Sequence, residues 1–233
     1  PTLVDTYIVK PKEISNTLKA VGSVRAIEAV EVRPEVSGKI ASINFKDGQL
    51  VTTGMLLFAL DSEIEQAQYN EAMANVRVSE RNRPRIIELA SKQLISKSEA
   101  ENALNTAEVA AAQAQSAKAR LAKMQIRAPF EGVVGLRQVS IGAYVNAGQV
   151  LVELVRLNPL EVEFQVPESQ VARLATGQSV QVQLDALPSV SFDGAITAIA
   201  PSVQVNGRSV SVRARLNNQD GKLVPGQFAQ VLV

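Results

Sequence analysis

The stretch Pro34–Ile40 reads PEVSGKI, and it returns in kind as APFEGVV at Ala128–Val134. Two more segments return at the same spacing: Asp47–Val51 (DGQLV) as Ile141–Val145 (IGAYV), and Thr53–Leu60 (TGMLLFAL) as Ala147–Leu154 (AGQVLVEL). Three glycines and five apolar positions keep one register between the copies, so the sequence contains an internal repeat. The paired glycines are Gly38 with Gly132, Gly48 with Gly142 and Gly54 with Gly148.

The repeat predicts two similar β-units. Each has short alternating strands with three of the six glycines at its turns, where glycine adopts a positive φ without steric cost. Neither unit can bury its apolar face alone, so we expect the two to form a small sandwich with pseudo-twofold symmetry. This pattern resembles the biotinyl/lipoyl carrier fold, which carries a modified lysine in the hairpin between its halves. Here about sixty residues of another character follow Leu60, and no lysine occupies such a hairpin, which disfavours a carrier function.

The segment between the repeats reads as two helices. Residues 61–123 contain no glycine and one proline, and they are rich in Ala, Glu, Gln, Lys and Arg, which are good helix formers. Ser62 with Glu65 and Ser96 with Glu99 match the capping box that begins a helix. We expect two helices joined near residues 92–95, with a kink or a break at Pro84 because proline removes a backbone hydrogen bond.

A stripe of mostly small residues on the second helix indicates that the two helices pack as a coiled coil. The stripe comprises Ala100, Leu104, Ala107, Ala111, Ala114, Lys118 and Leu121. On the first helix two registers compete, one of them with Ile64, Ala67, Ala74 and Val78 and the other with Val76, Ile87, Ala90 and Leu94. Thirty helical residues would extend about 45 Å, which suits an arm that reaches a partner.

The C-terminal part from Leu157 predicts a small closed barrel. Leu160–Val166 alternates apolar and polar residues, as a half-buried strand does. Pro167–Leu174 then reads as a short helix closed by Gly177. Four further strands follow, each bounded by turn signals. We place them at Ser179–Leu184, Ser191–Ala200, Ser209–Leu216 and Gln227–Val233.

Composition excludes several classes of function. The 24 basic and 23 acidic side chains give a net charge of +1, so no field of one sign favours nucleic-acid binding. The chain has no Cys and no His, which excludes thiolate nucleophiles, His-based triads and His/Cys metal sites. Carboxylate chemistry lacks support because Glu163, Asp185 and Asp193 have no second group that we can place beside them. We expect no enzymatic activity, no cofactor and no metal.

The residues between the two helices carry a recognisable motif. Arg85–Ser96 reads RIIELASKQLIS, with an Arg, a Leu and a Ser at defined spacing. It resembles the hairpin tip of the periplasmic adaptor (membrane fusion) proteins of resistance-nodulation-division (RND) efflux pumps, which are HlyD-like. The resemblance implies that Arg85, Leu89 and Ser96 contact a TolC-like outer-membrane channel. Ile86 departs mildly from the family, which often has Leu there.

The resemblance also implies a fold class, partners and a location. The fold would be mainly β plus a long antiparallel α-helical coiled-coil hairpin, in an elongated modular arrangement of a lipoyl-like sandwich and a β-barrel. The protein would join an inner-membrane RND transporter to the channel and form a trimeric or hexameric ring. It would lie in the periplasm, anchored to the inner membrane in its full-length form. An adaptor for an ABC-type or metal exporter is the alternative, since the hairpin is about one heptad shorter than in well-known multidrug adaptors.

We therefore expect four parts. Residues 1–30 supply strands to the barrel and begin a membrane-proximal domain whose remaining strands are missing. Residues 31–60 and 124–156 form the two halves of the lipoyl-like domain, residues 61–123 the helical hairpin, and residues 157–233 the barrel.

Overall fold

The computed structural model describes residues 17–184, 186–204 and 207–233, without the side chains of residues 188 and 189. It divides into two compact units. One is Glu28–Arg156, and the other combines the chain up to Ile27 with Leu157–Val233. None of the helices in the described ranges combines the length and the apolar character that a membrane crossing needs.

The first unit contains eight strands and two long helices among its described residues. The strands are β2 (Ala29–Val32), β3 (Gly38–Ile43), β4 (Leu50–Val51), β5 (Leu56–Leu60), β6 (Gln125–Arg127), β7 (Gly132–Val134), β8 (Tyr144–Val145) and β9 (Val152–Val155). The helices are α1 (Glu63–Ser91) and α2 (Lys97–Lys123). The second unit contains β1 (Lys19–Ala26), β10 (Leu160–Pro167), α3 (Glu168–Val171), β11 (Ser179–Leu184), β12 (Leu187–Ile199), β13 (Ser209–Leu216) and β14 (Phe228–Leu232).

The strands of the first unit form two four-stranded sheets, and each sheet draws strands from both halves of the repeat. Their orders are β2-β9-β7-β4 and β6-β5-β3-β8. The repeat matches β2 with β6, β3 with β7, β4 with β8 and β5 with β9, so it converts one sheet into the other. Backbone bonds follow the same rule: Gly48 N–H donates to Val134 O at 2.9 Å. The equivalent Gly142 N–H donates to Ile40 O, also at 2.9 Å.

The core of the sandwich lies between these two sheets. Ile40, Leu57 and Phe58 from the first half are fully buried, as are Val134 and Leu151 from the second. Phe45 packs edge-on against Phe58, with 5.1 Å between ring centroids. Because both halves contribute to one core, neither half could bury its apolar face without the other.

The two long helices follow one another without an intervening strand and pack together. α1 runs unbroken through Pro84, whose exposed position lets water reach the carbonyl group that proline leaves without a donor. The capping box at Ser96 is confirmed. The one expected at Ser62 is wrong, because the Ser62 side chain makes no cap hydrogen bond and the Asp61 carboxylate accepts from the Glu63 N–H instead, at 3.4 Å.

The face of α2 that packs on α1 differs by one residue at alternate positions from the expected stripe. Its buried and half-buried residues, spaced alternately three and four apart, are Ala100, Ala103, Ala107, Ala110, Ala114, Ala117 and Leu121. Leu104, Ala111 and Lys118 are exposed, so the expected stripe is wrong at those three positions. Ala110 and Ala111 are equally hydrophobic, so hydrophobicity alone cannot choose between them. Lys118 was assigned to the stripe by spacing, although its neighbour Ala117 is the more apolar residue.

On α1 neither of the two proposed registers describes the packed face. Val76 and Ala90 are half-buried, whereas Ile64, Val78 and Ile87 are exposed. The packed face includes polar members that an apolar pattern does not reveal. Its half-buried residues include Tyr69, Ala72, Val76, Ser79, Ile86 and Ala90.

The second unit is a closed six-stranded barrel of order β1-β10-β13-β12-β11-β14. Inward-facing residues alternate with outward-facing ones along each strand, and Val24, Phe164 and Val212 are among those in the core. The expected helix after β10 is only one turn, α3. The contribution of the N-terminal segment to the barrel is β1, and residues 1–16 lie outside the described part of the chain.

One expected boundary falls elsewhere. The sequence pattern assigns Ala29 and Val30 to the N-terminal segment, but they lie in β2 and pair with Val155 and Leu154 of β9 in the sandwich. The change between units therefore occurs between Ile27 and Glu28.

Candidate docking site at the helical tip

The turn that ends α1 has a defined backbone geometry. Gln93 N–H donates to Ala90 O at 3.0 Å, and Leu94 N–H reaches back to Leu89 O at 2.9 Å. These two bonds, with Gln93 at φ 55°, form a Schellman motif that satisfies the last carbonyl groups of the helix. A residue other than glycine in this left-handed conformation costs roughly 1–2 kcal/mol. The tip is therefore a specific turn rather than a loose connection.

The second helix begins at a complete capping box. Ser96 Oγ accepts from Glu99 N–H at 3.1 Å, and Glu99 Oε2 accepts from Ser96 N–H at 2.9 Å. The bond from the Ser96 backbone, followed by that from its hydroxyl group, lowers the pKa of Glu99 below its ordinary value. Ser96 is thus engaged in ending the turn, although it remains exposed to solvent.

The structure brings together two of the three residues expected at the tip. Arg85 and Leu89 lie one turn apart on α1 and line one groove between the helices, together with Ile86 and Leu104. Ser96 does not line this groove. Arg85 is exposed and, among the described residues, has no ion-pair partner, while Leu89 is half-buried. The guanidinium group of Arg85 is consequently free to pair with a carboxylate or with carbonyl groups of another molecule.

The distal part of the helices carries charges of both signs. From Arg77 to Lys97 the chain has six basic residues and two acidic ones, and the following turns of α2 add Glu99, Glu101 and Glu108. Lys92, the C-cap residue of α1, pairs with Glu88, and Lys97 lies 3.8 Å from Glu101. The charges at this end of the helices therefore nearly balance, and they do not by themselves select a partner.

Sequence reasoning missed two residues at the tip. Leu94, which the sequence analysis assigned to the packed face of the first helix, is 67% exposed. Gln93 was not singled out, since the left-handed turn carries no glycine to reveal it. A signal was available in the hydrophobic residue that immediately follows this position, which is typical of the Schellman motif.

The glycines of the repeat separate into two groups. Gly48, Gly54, Gly142 and Gly148 lie in turns with φ between 78° and 86°. The expectation of a turn is wrong for Gly38 and Gly132, which begin β3 and β7. A Cβ on Gly132 would lie 2.6 Å from Val155 O, so close strand approach, not turn geometry, requires this glycine.

Two arginines donate hydrogen bonds to carbonyl groups of the glycine turns. The sequence analysis did not identify them. Arg127 Nη1 donates to Gly54 O at 2.8 Å, and Arg33, its equivalent in the first half, donates Nη1 to Gly148 O. Each arginine therefore holds a turn that belongs to the other half of the repeat. The constant spacing of the repeat could have revealed them, because Arg33 and Arg127 obey it.

Comparison with known families now adds to this geometry. The profile described as RND MFP, barrel-sandwich hybrid domain, matches residues 28–157, and the one described as CusB-like, beta-barrel domain, matches residues 160–233. The chain belongs to the RND membrane fusion protein family. Its members are adaptors rather than enzymes.

Individual relatives agree with this assignment. The chain is 30% identical over 244 residues to the multidrug resistance protein MdtA of Escherichia coli, covering 93% of this chain and 58% of that protein. It therefore spans less than two thirds of the length of the curated relatives that it matches.

Solved structures share the fold. A MacA-MexA chimera containing the α-hairpin domain of Pseudomonas aeruginosa MexA superposes with a TM-score of 0.83, at 24% identity, over 94% of this chain and 82% of the chimera. A membrane fusion protein from Streptococcus pneumoniae gives a TM-score of 0.74 at 22% identity, over 93% and 97% of the two chains.

Proposed function

We propose that this protein is a periplasmic adaptor that joins an inner-membrane RND transporter to a TolC-like outer-membrane channel in a tripartite efflux pump. The observation that carries the proposal is the tip, where Arg85 is exposed and shares a groove with Leu89 at the far end of two paired helices. Family membership supports it, because the adaptor family works between a transporter and a channel. The chemistry asked of the protein is binding, without a catalytic step.

The proposal assigns a role to the length of the helices. α1 has 29 residues and α2 has 27, which corresponds to about 40 Å of helix. Their seam of alanines permits a close approach of the two backbones, and its alternation of three and four residues is the spacing of a coiled coil. We infer a slender coiled-coil hairpin whose tip carries the docking residues Arg85, Leu89 and Ser96.

The remaining parts of the proposal follow the family. The sandwich (28–60 and 124–156) and the barrel (157–233 with β1) form the body of the adaptor, and a trimeric or hexameric ring of copies encloses the exported compound. The full-length protein lies in the periplasm and is anchored to the inner membrane. Relatives named multidrug resistance proteins favour drugs and similar toxic compounds as cargo over the alternative of a metal.

Cysteine cross-linking in cells tests the docking role. These 233 residues contain no cysteine, so a single substitution adds one thiol to this part of the chain. Leu89→Cys in the full-length protein should cross-link to the outer-membrane channel of the same organism. Ser96→Cys should do so too, although it also removes the cap of α2.

A matched position provides the control. Gln68 is exposed on the same helix, and the 21 residues between it and Leu89 correspond to about 32 Å. Gln68→Cys should give no channel adduct. Equal labelling of the channel from Gln68 and Leu89 would remove the docking role of the tip.

A further inference from the structure

We propose that Asp220–Gly221 is a modification site at which the chain isomerises spontaneously to isoaspartate, and that this change destabilises the barrel. The site lies in the connection between β13 and β14. The inference goes beyond the proposed docking function and does not depend on it.

The chemistry of this site needs only an aspartate, a following glycine and water. The backbone nitrogen of Gly221 attacks Cγ of Asp220, and the carboxyl OH leaves as water with the amide hydrogen, which gives a cyclic succinimide. Glycine permits this attack because no Cβ shields its nitrogen. Water then opens the ring: attack at the former side-chain carbonyl restores aspartate, and attack at the former main-chain carbonyl gives isoaspartate. One water leaves and one returns, so the reaction needs no oxidant and no cofactor.

The chain contains three Asp–Gly pairs, so the fold decides which of them reacts. They are Asp47–Gly48, Asp193–Gly194 and Asp220–Gly221. Ring closure requires the backbone to rotate until the glycine nitrogen reaches Cγ. Gly194 cannot rotate in this way, because it lies inside β12 and is aligned with Val180 of β11 on one side and Leu216 of β13 on the other. The sheet therefore protects Asp193–Gly194.

The pair Asp47–Gly48 lies in a turn, but both reacting groups are held there. Gly48 N–H donates to Val134 O at 2.9 Å, which binds the attacking nitrogen to a strand of the other half of the sandwich. Asp47 Oδ1 accepts from Arg137 N–H at 3.4 Å and lies 4.0 Å from Arg137 Nε. The side chain of Asp47 is 40% exposed. Reaction at this pair would first have to break contacts between distant segments of the chain.

The pair Asp220–Gly221 is the least restrained of the three. The side chain of Asp220 is 73% exposed, and its ion-pair partner is Lys222, an exposed residue of the same turn. Gly221 N–H donates to Asn218 O at 3.2 Å, a longer bond that also stays within the turn. A Cβ placed on Gly221 would meet nothing within 4 Å, so the space around the pair is open. The turn can open locally without breaking a strand pairing, which exposes the pair to reaction.

The residues on either side of this turn connect it to the core of the barrel. Leu223 N–H donates to Asn218 Oδ1, and Leu223 O accepts from Asn218 Nδ2, both at 2.9 Å. Leu223 is 1% exposed and belongs to the barrel core. Isoaspartate adds one carbon to the main chain between these two anchored residues. The lengthened turn should therefore strain both hydrogen bonds and displace Leu223, which weakens the barrel.

Peptide mapping after prolonged incubation of the full-length protein at neutral pH tests the site. Isoaspartate leaves the mass of a peptide unchanged but shifts its chromatographic retention, and isoaspartyl methyltransferase labels it with a methyl group from S-adenosylmethionine. The tryptic peptide Leu216–Lys222 should accumulate isoaspartate before the peptides that contain Asp47 and Asp193. Earlier accumulation at Asp47 or Asp193, or none at Asp220, would overturn the inference.

The same incubation in concentrated urea separates the effect of the fold from that of local sequence. Without folded structure the three Asp–Gly pairs should react at similar rates, because each has glycine after the aspartate. If Asp220–Gly221 leads by the same margin in urea, neighbouring residues rather than the fold select the site, and the inference is overturned.

The variant Asp220→Glu tests the effect on the barrel. It keeps the charge of this exposed residue, but glutamate would have to close a larger ring, which is much slower. Asn206–Gly207 has the sequence of a deamidation site, so both proteins carry Asn206→Gln.

The readout is hydrogen exchange of the backbone amides around Leu223, followed by mass spectrometry. In the protein with Asp220, exchange should accelerate in step with the isoaspartate content, whereas Asp220→Glu should keep its protection after the same incubation. Equal acceleration in both proteins, or isoaspartate formation with unchanged exchange, would overturn the destabilising role of the modification. Neither result would affect the docking function, which is tested at the helical tip.

Discussion

Asn218 holds together three segments of the barrel unit through its side chain and its backbone. Its Nδ2 donates to Leu157 O and to Leu223 O, and its Oδ1 accepts from Leu223 N–H, all at 2.9 Å. Its own N–H donates to Asn158 Oδ1, also at 2.9 Å. Asn218 is buried, so these groups have no access to water as an alternative partner.

Replacing this amide should destabilise the barrel unit. Asn218→Ala leaves the N–H of Leu223 and two carbonyl groups without partners, and we expect a loss of about 3 kcal/mol in the free energy of unfolding. Asn217→Ala changes the exposed neighbouring residue and should alter stability by less than about 0.5 kcal/mol. Urea denaturation of both variants checks this, and equal losses would contradict the role of Asn218.

The environment of Glu163 predicts that stability depends on pH. It accepts hydrogen bonds from Arg25 at 2.8 Å and Arg213 at 3.2 Å, and the bond from Arg25 is the main cause that lowers its pKa below the ordinary 4.5. A lowered folded-state pKa gives stability that is present above the unfolded pKa and is lost as pH falls through the folded value. The contribution is under about 1 kcal/mol, because the arginines are exposed.

Glu163→Gln should therefore lower stability at pH 7 and have progressively less effect below pH 4.5. Thermal unfolding of both proteins across pH 3–7 provides the measurement. A difference that stays constant over this range would show that ionisation of Glu163 does not contribute.

At the scale of single residues, the sequence predicts a structural role where that role depends on the residue's own backbone conformation. The glycines of the turns were predictable because positive φ is a property of the residue itself, and the repeat marked them twice. The hydrogen bonds of Asn218 were not predictable, because its partners at residues 157 and 223 become neighbours only after the barrel closes. Gly132 was misread for the same reason, as its constraint is the carbonyl group of distant Val155.

At the scale of elements, the seam between α1 and α2 decides which alanines tolerate enlargement. Ala110 is 7% exposed, whereas Ala111 beside it faces solvent. Ala110→Leu should force the helices apart at a cost of about 1–3 kcal/mol, while Ala111→Leu should be nearly neutral. Thermal melting at 222 nm distinguishes them, and a greater loss for Ala111→Leu would restore the stripe expected from sequence.

The positions of the two helices in the sequence were predictable. The residues through which they pack on each other were predicted only in part. Both elements can be located from the glycine-free composition and the capping box at Ser96. Register needs a contrast between neighbouring residues, and the run from Ala110 to Ala114 supplies almost none. Ser62 failed as a cap because Asp61, one residue earlier, offers a competing carboxylate, a choice that depends on the exact direction in which the chain leaves β5.

At the scale of the whole molecule, the repeat predicted the sandwich because the same half-motif occurs twice in the sequence. The closed barrel was predicted from the short helix that lies among its strands. The transition between units was displaced by a few residues, since Ala29 and Val30 alternate in the same way whether they pair in the barrel or in the sandwich.

The interleaved sheets predict that the chain survives a cut at the tip. A specific protease site inserted after Gln93 should yield two fragments that co-elute in native size exclusion and separate only in denaturant. Each sheet draws strands from both fragments, and so does the barrel. Separation of the fragments under native conditions would contradict the shared core.

The place where the helices leave the sandwich has a consequence for how such proteins diversify. β5 and β6 are paired neighbours, and Leu60 N–H donates to Met124 O at 2.8 Å just where the two helices depart and return. Insertion or deletion of seven residues in each helix would preserve the packing between the helices. It would also leave the β5–β6 pair and its hydrogen bond unchanged. The length of the two helices can therefore change in evolution while the sandwich and the barrel stay the same. The same β-domains could then serve channels at different distances.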